Sequence, residues 1–275
     1  MVDPQLAFLG GPSGMAKLMR EHDWSQSPLG LPQRWPQSLR SGVNLMMGSG
    51  FPMFVAWGPQ LVQLYNDAYA PIMGVKHPAG LGRPVLETWA EVRAEVEPLM
   101  QQALRGESPY FENLPLRPER GPAGAEDTWF TFSYSPILDE SGAIAGVFCA
   151  CIETTKSVVS EQQMLRKEEW LQVLFDQAPG FAAVLRGPEH VFTQANAAYR
   201  QLTGNIELIG KSVAQALPQA VEQGFVGWLD GVYATGTPFV GRSVPVSVSH
   251  GPGEPAYQAL HRLHVPAAAR VRRQG

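Results

Sequence analysis

The 275-residue sequence is poor in cysteine, with only Cys149 and Cys151. Two thiols two positions apart cannot build a disulfide framework, which argues against a small secreted scaffold. Basic residues are not in excess either. The formal net charge is −4, the wrong sign for a general nucleic-acid binder. The local exception is the end of the chain, where four Arg and no acid follow Glu254. Long apolar runs are also missing. Ser41 to Asn66 is 26 residues without a charge, but Asn44, Pro52, Pro59 and four Gly interrupt it. It reads as helix, turn and strands, not as a membrane span. The start, MVDPQLAFLG, holds Asp3 and no basic cluster, unlike a secretory leader. These absences lead us to expect a cytoplasmic protein with no membrane and no nucleic-acid partner.

What is present is enough for a core. Apolar residues make up 44%, and the length suits one large domain or two of roughly 100–130 residues. The 28 Gly and 24 Pro imply many turns and argue against a simple helical bundle. Residues 12–48 read as two short helices around the loop SQSPLGLPQRWP. Met15, Leu18 and Met19 form one stripe, and Leu39, Val43, Met46 and Met47 the other. Phe51–Trp57 and Leu61–Tyr65 are short apolar runs joined by Gly58-Pro59, a hairpin signal. Glu91–Arg105 reads as a helix stopped by Gly106. Pro109–Leu116, Thr128–Ile137 and Ala143–Ile152 read as strands. In the second of these Phe130, Phe132 and Tyr134 share a face. The third is small and apolar, which suits a central strand. Lys156–Gln177 has no Gly or Pro, and Met164, Leu171 and Leu174/Phe175 fall at roughly coiled-coil spacing. It reads as a helical connector that also packs in a dimer, or as a plain solvated linker.

The second half replays the first. LVQLYNDAYAPIMG (61–74) resembles HVFTQANAAYRQLTG (190–204). LGRPVLETW (81–89) resembles IGKSVAQAL (209–217), and ALRGESPYFENLPL (103–116) resembles YATGTPFVGRSVPV (233–246). Three matched blocks in the same order imply two copies of one fold. Strand, strand, short helices, longer helix and three strands give an α+β fold. Each copy is an antiparallel sheet of about five strands with helices on one face. The residues Asn66-Asp-Ala-Tyr69 and Asn196-Ala-Ala-Tyr199, the Gly82 and Gly210 turns, Gly106 and its counterpart Gly236, and the hairpin at 131–155 resemble the PAS sensor domain family. With the leader DWSQSPLGLPQRWPQSLR, residues 12–155 look like the sensor end of bacterial sensor histidine kinases. The organisation expected is a helical leader at 1–50, a first PAS domain at 51–155, a connector at 156–177, a truncated second PAS domain at 178–250 and an irregular tail at 251–275.

The resemblance implies a sensory input module of two-component signalling. Such a module holds a small ligand or cofactor between sheet and helices, or dimerises. It passes a signal through an Asp-x-Thr element into a helix and a kinase-type output absent from this chain. Here Glu153-Thr154-Thr155 takes that position, and its carboxylate could accept amides of the following helix N-terminus, as a relay or as a plain cap. Trp57, Tyr65, Tyr69, Trp89, Phe132 and Tyr134 could line the cavity or form ordinary core. The cofactor stays open. Flavin-adduct relatives carry Cys in an Asn-Cys-Arg-Phe run, which is missing. Haem-binding relatives use a helical His, whereas His77 sits in a turn and His190 before a strand. Cys149 and Cys151 share a strand face but have no further Cys or clustered His at metal spacing, so no metal site is expected. A homodimer through the connector or the sheet faces is the expected partner. A ligand-free docking scaffold is the alternative function.

There is no phosphoacceptor His on a His-Glu helix, no Gly-rich ATP site, no Ser-His-Asp set and no zinc motif. The chain is therefore expected to be no enzyme. After about Gly251 the strand patterning fails. Plausible codons for Val265–Gly275, read with the first base dropped, encode Phe-Gln-Pro-Leu-Arg-Glu-Ser-Gly-Gly. That resembles Tyr134–Gly142, so a frameshift between about residues 247 and 264 is expected, leaving the second sheet without its last two strands.

Overall fold

The computed structural model describes residues 4–9, 11–248 and 257–265. The chain divides into two compact units, 1–163 and 164–275. The leader belongs to the first of them and is not a separate body. After a 3-10 turn at Pro4–Leu9 come α1 (Gly14–Glu21) and α2 (Gln37–Met47). Ser13 caps α1 by accepting the Ala16 amide at 3.0 Å. On α2 the stripe Leu39, Val43 and Met46 is fully buried. Trp24 and Trp35 meet nearly edge to face at 4.9 Å. Their indoles donate to the Met19 carbonyl at 2.7 Å and the Gly30 carbonyl at 3.0 Å, which lets two large rings be buried without orphaned donors.

The domain proper runs β1 (Met53–Trp57), β2 (Val62–Tyr65), α3 (Ala70–Met73), α4 (Val85–Thr88), α5 (Arg93–Leu104), β3 (Tyr110–Leu116), β4 (Glu119–Gly121), β5 (Gly124–Ala125), β6 (Thr128–Leu138) and β7 (Ile144–Glu153). Five strands form one antiparallel sheet in the order β2-β1-β7-β6-β3. The small strand β7 is central, as its composition suggests. Tyr134, Cys149, Phe54 and Tyr65 stand opposite one another across four strands, so they share one face. Helix α5 packs on that face. Helix α2 packs on the other, where Gly42 lies against Val55. Helices therefore cover both faces, not one. The apolar stripe of α2 has to be buried somewhere, and the back of β1–β2 receives it. The two-stranded ribbon β4–β5 has no apolar alternation and is not legible in the sequence.

Helix α6 (Thr155–Gln177) leaves the end of β7, one residue earlier than the expected connector. None of its residues is buried, and Met164, Leu165, Trp170, Leu171, Val173 and Leu174 are exposed.

The second unit holds β8 (Ala183–Arg186), β9 (Val191–Ala195), α7 (Ala197–Leu202), α8 (Val213–Ala216), α9 (Pro218–Glu222), α10 (Phe225–Thr235), β10 (Phe239–Val248) and β11 (Tyr257–Val265). Its strands form two separate pairs, β8–β9 and β10–β11. The strand β11 corrects the expectation of an irregular stretch after residue 251. Polar and apolar residues do alternate over much of Tyr257–Val265, and pairing with β10 supplies the backbone partners a weak pattern needs. One of the two strands thought missing is thus present. Residues 249–256 and 266–275, on which most of the frameshift expectation falls, lie outside the described residues.

The matched blocks fold alike locally. Gly58 and Leu61 take φ of 76° and 50°, and Gly187 and His190 take 75° and 53°. Amides of Gly82 and Gly210 donate to the carbonyls of Gln63 and Phe192 at 3.0 and 2.9 Å. Asn66 Oδ1 accepts the Met53 and Tyr69 amides, and Asn196 Oδ1 accepts those of Ala182 and Tyr199. Each Asn ties the start of a strand to the first turn after the next. Gly106 and Gly236 follow the α5 and α10 C-termini with φ of 93° and 67°, backbone that glycine adopts without a Cβ penalty.

Candidate functional site

The inner face of the sheet and helices α3, α4 and α5 line a cavity of about 60 Å³. Of the six expected lining residues, Tyr69, Trp89, Phe132 and Tyr134 reach it. Trp57 does not. It has the opposite strand parity to Phe54, which lines the cavity, and it packs beside Gly146. Tyr65 is on the inner face but behind Tyr69, with ring centroids 5.8 Å apart. Its hydroxyl meets His77 Nδ1 at 2.9 Å. Burial pushes the Tyr65 phenol up to about 12. His77 is committed to Tyr65 on that side.

Phe54, Met100, Cys149 and Cys151 also line the cavity and were not foreseen. The signal was in the register: residues opposite Tyr134 and Phe132 must share their face. Burial pushes the Cys149 thiol and the Tyr69 and Tyr134 phenols far up, with Cys151 a further cause for all three. The site therefore presents neutral Cys149, Tyr69 and Tyr134 at physiological pH, and Cys149 is no activated nucleophile. Gln63 is wholly buried beside Tyr69, and neither of its amide atoms makes a well-formed hydrogen bond. The Trp89 indole N–H is likewise buried, without a partner among the described residues. Planar cofactors such as flavin or haem need several hundred Å³, which the present packing does not provide. Among the described residues, no group of three or more His, Cys, Asp or Glu could hold a metal ion.

A polar network runs from the cavity wall to the start of α6. Lys76 lies over the Trp89 ring at 4.9 Å and pairs with Glu91 at 2.7 Å. Glu91 accepts the Glu119 amide at 2.9 Å. Next in the chain, Arg120 lies over the ring of Phe130, a cavity residue, at 5.8 Å. Its guanidinium meets Glu153 at 2.7 Å and Glu126 at 3.3 Å. Glu153 accepts the Thr155 hydroxyl at 2.8 Å, and Thr155 Oγ1 accepts the Trp129 amide at 3.1 Å. Thr154 contributes its amide to the Trp129 carbonyl at 2.8 Å, while its hydroxyl is buried without a partner among the described residues. The expectation that Glu153 caps the helix is corrected. Its carboxylate goes to a guanidinium, a stronger partner than backbone amides. Arg120, 33 positions away in the chain, was missed because RPERGPAGAED reads as a solvated loop.

The ion pair makes stability depend on pH. The Arg120 guanidinium holds the Glu153 carboxyl below its ordinary value of 4.5. A depressed folded-state pKa means that the contribution is whole above about 4.5 and is lost as pH falls through the folded-state value. Burial would raise Glu91, but Lys76 keeps that carboxyl depressed too, with the same sign. Urea unfolding between roughly pH 6 and pH 3 should show stability falling. Arg120→Met should lower it at neutral pH by about 1 kcal/mol, since the pair is only partly buried, and flatten the acid loss. A parallel decline in both proteins would exclude the pair as a source.

The first unit is an α+β domain: an antiparallel sheet, an apolar cavity between sheet and helices, and a helix leaving the last strand. Residues 52–159 match the family model described as PAS fold. Similar solved structures include the PAS domain of Bordetella pertussis BvgS, at 19% identity over 45% of this chain and 92% of that one, with a TM-score of 0.29. A sensory box sensor histidine kinase from Vibrio cholerae is 16% identical over 42% of this chain and 90% of that one, TM-score 0.31. An RNA-binding light-oxygen-voltage receptor is 20% identical over 49% of this chain, which spans only 38% of that receptor, TM-score 0.37. Among the described residues no helix is long and apolar enough to cross a membrane.

Proposed function

We propose that the chain is a cytoplasmic, non-catalytic sensory input module of two-component type. Its PAS domain senses a small molecule in the cavity. The change is relayed by Glu153 and Thr155 to α6 and onward to a kinase-type output outside this chain. The second unit is read as another PAS-like copy with an unjoined sheet, because its Asn196 and Gly210 reproduce the bonds of Asn66 and Gly82. Helix α6 is read as a dimer seam, because Met164, Leu171 and Leu174 are exposed on it.

One observation carries the reading. Arg120 touches the cavity residue Phe130 and the exit residue Glu153 at once. A shift of the cavity wall therefore reaches the first turn of α6 through Arg120, Glu153 and Thr155. The competing reading, a ligand-free scaffold, draws on the small cavity volume.

The two readings differ in coupling. Val96→Phe adds bulk at the cavity wall and mimics occupancy. It should change amide hydrogen exchange across Thr155–Gln177 about three- to tenfold, and this effect should vanish when Arg120→Met is added. Exchange in α6 that ignores both changes would leave the scaffold reading standing.

A further inference from the structure

The cavity has a chemical preference that its lining reveals. No lining residue bears a formal charge, so a charged ligand would be desolvated without compensation. The lining is instead aromatic and aliphatic, with Phe54, Tyr69, Phe132 and Tyr134 on the sheet side and Met100 on the helix side. At about 60 Å³ the space is smaller than the roughly 150 Å³ cavity that accepts benzene. Met100 is the lining side chain best able to yield, since an unbranched thioether repacks readily.

One polar group stands out. Trp89 is a lining residue and 7% exposed, and its Nε1–H is buried with no hydrogen-bond partner among the described residues. The indole is not loose. Lys76 sits over its ring while donating to the Thr88 carbonyl at 2.6 Å and pairing with Glu91. A fixed, desolvated and unpaired donor is costly in the free protein, and an acceptor on a ligand relieves that cost.

Resting on the reading of the cavity as a receptor site, we infer that its ligand is a compact, uncharged, mainly apolar molecule with one hydrogen-bond acceptor, of the small ketone or aldehyde class. Trp89 is the specificity-determining donor, and the hydrocarbon part fills the aromatic wall.

The test uses the full 275-residue chain and ligand-observed NMR titration. The probes are 2-butanone, its hydrocarbon isostere 2-methyl-1-butene, propionate and flavin mononucleotide. Butanone should bind about five- to tenfold more tightly than the isostere, and propionate and the flavin should not bind. Trp89→Phe keeps an aromatic ring but removes the donor, so it should erase the difference while the isostere still binds. The wild-type series stands even if that variant folds poorly. Equal binding of butanone and isostere overturns the acceptor assignment but keeps the receptor reading. Binding of propionate or flavin overturns the charge or size assignment and again keeps the receptor reading. Binding of none of the four overturns both.

Discussion

Asn66→Ala is expected to cost the first unit about 3–5 kcal/mol of stability, read as a lowered urea midpoint with an unchanged slope. The side chain is 1% exposed and its bonding is fully used. Oδ1 accepts from the Met53 amide at 3.1 Å and the Tyr69 amide at 3.0 Å. Nδ2 lies within 3.1 Å of the Met46, Ser49 and Phe51 carbonyls. Alanine leaves buried amides and carbonyls unpaired at once, where water does not replace the lost partner. It also cuts the tie between the end of α2, the start of β1 and the turn into α3. Asn66→Asp should do no better, because three carbonyls would then face an acceptor. A loss below about 1 kcal/mol would mean that water satisfies these groups and that Asn66 is not the organising residue.

Gly74→Ala should be comparably severe, at about 3–5 kcal/mol, from strain and overlap together. Gly74 sits at φ 54°, ψ −129°, a region that L residues avoid. A Cβ there would land on the Arg120 carbonyl oxygen and lie 2.9 Å from the Arg120 Cβ. Both obstacles belong to β4 or spring directly from it, so the ribbon itself must move away from α3. Because Arg120 holds Glu153, the variant should also raise hydrogen exchange in the first turn of α6. Gly124→Ala is the control, since its φ is 87° but nothing lies within 4 Å of the added carbon; it should cost only about 1 kcal/mol. Equal losses at the two sites would show that backbone conformation alone matters and that the contact with β4 does not.

Much of the first domain is legible because its strands alternate. Phe130, Phe132 and Tyr134 announce one buried face, and the small run at Ala143–Ile152 announces a central position. What alternation cannot give is which strand opposes which, and at what register. Trp57 and Phe54 both read as buried aromatics of β1. Only pairing with β7, where Phe54 meets Cys149 and Trp57 meets Gly146, puts one at the cavity and the other behind the sheet. Likewise Glu153 was recognisable as an exit residue, but its partner was not. Arg120 lies in a charged, Gly- and Pro-containing run with no periodicity, and it becomes a partner only when the ribbon folds back over the sheet.

The sequence by itself determined the local grammar of this protein: which of the first domain's main segments are helix or strand, where glycine must turn the chain, and that two halves share the Asn and Gly positions of one pattern. Local conformation depends on neighbours a few residues apart, and those neighbours are written in order. The tertiary structure alone decided which aromatic rings line a cavity, that the leader covers the back of the sheet, and that Arg120 bridges the cavity wall and α6. These depend on contacts between residues tens of positions apart, whose energies exist only once the chain has closed on itself.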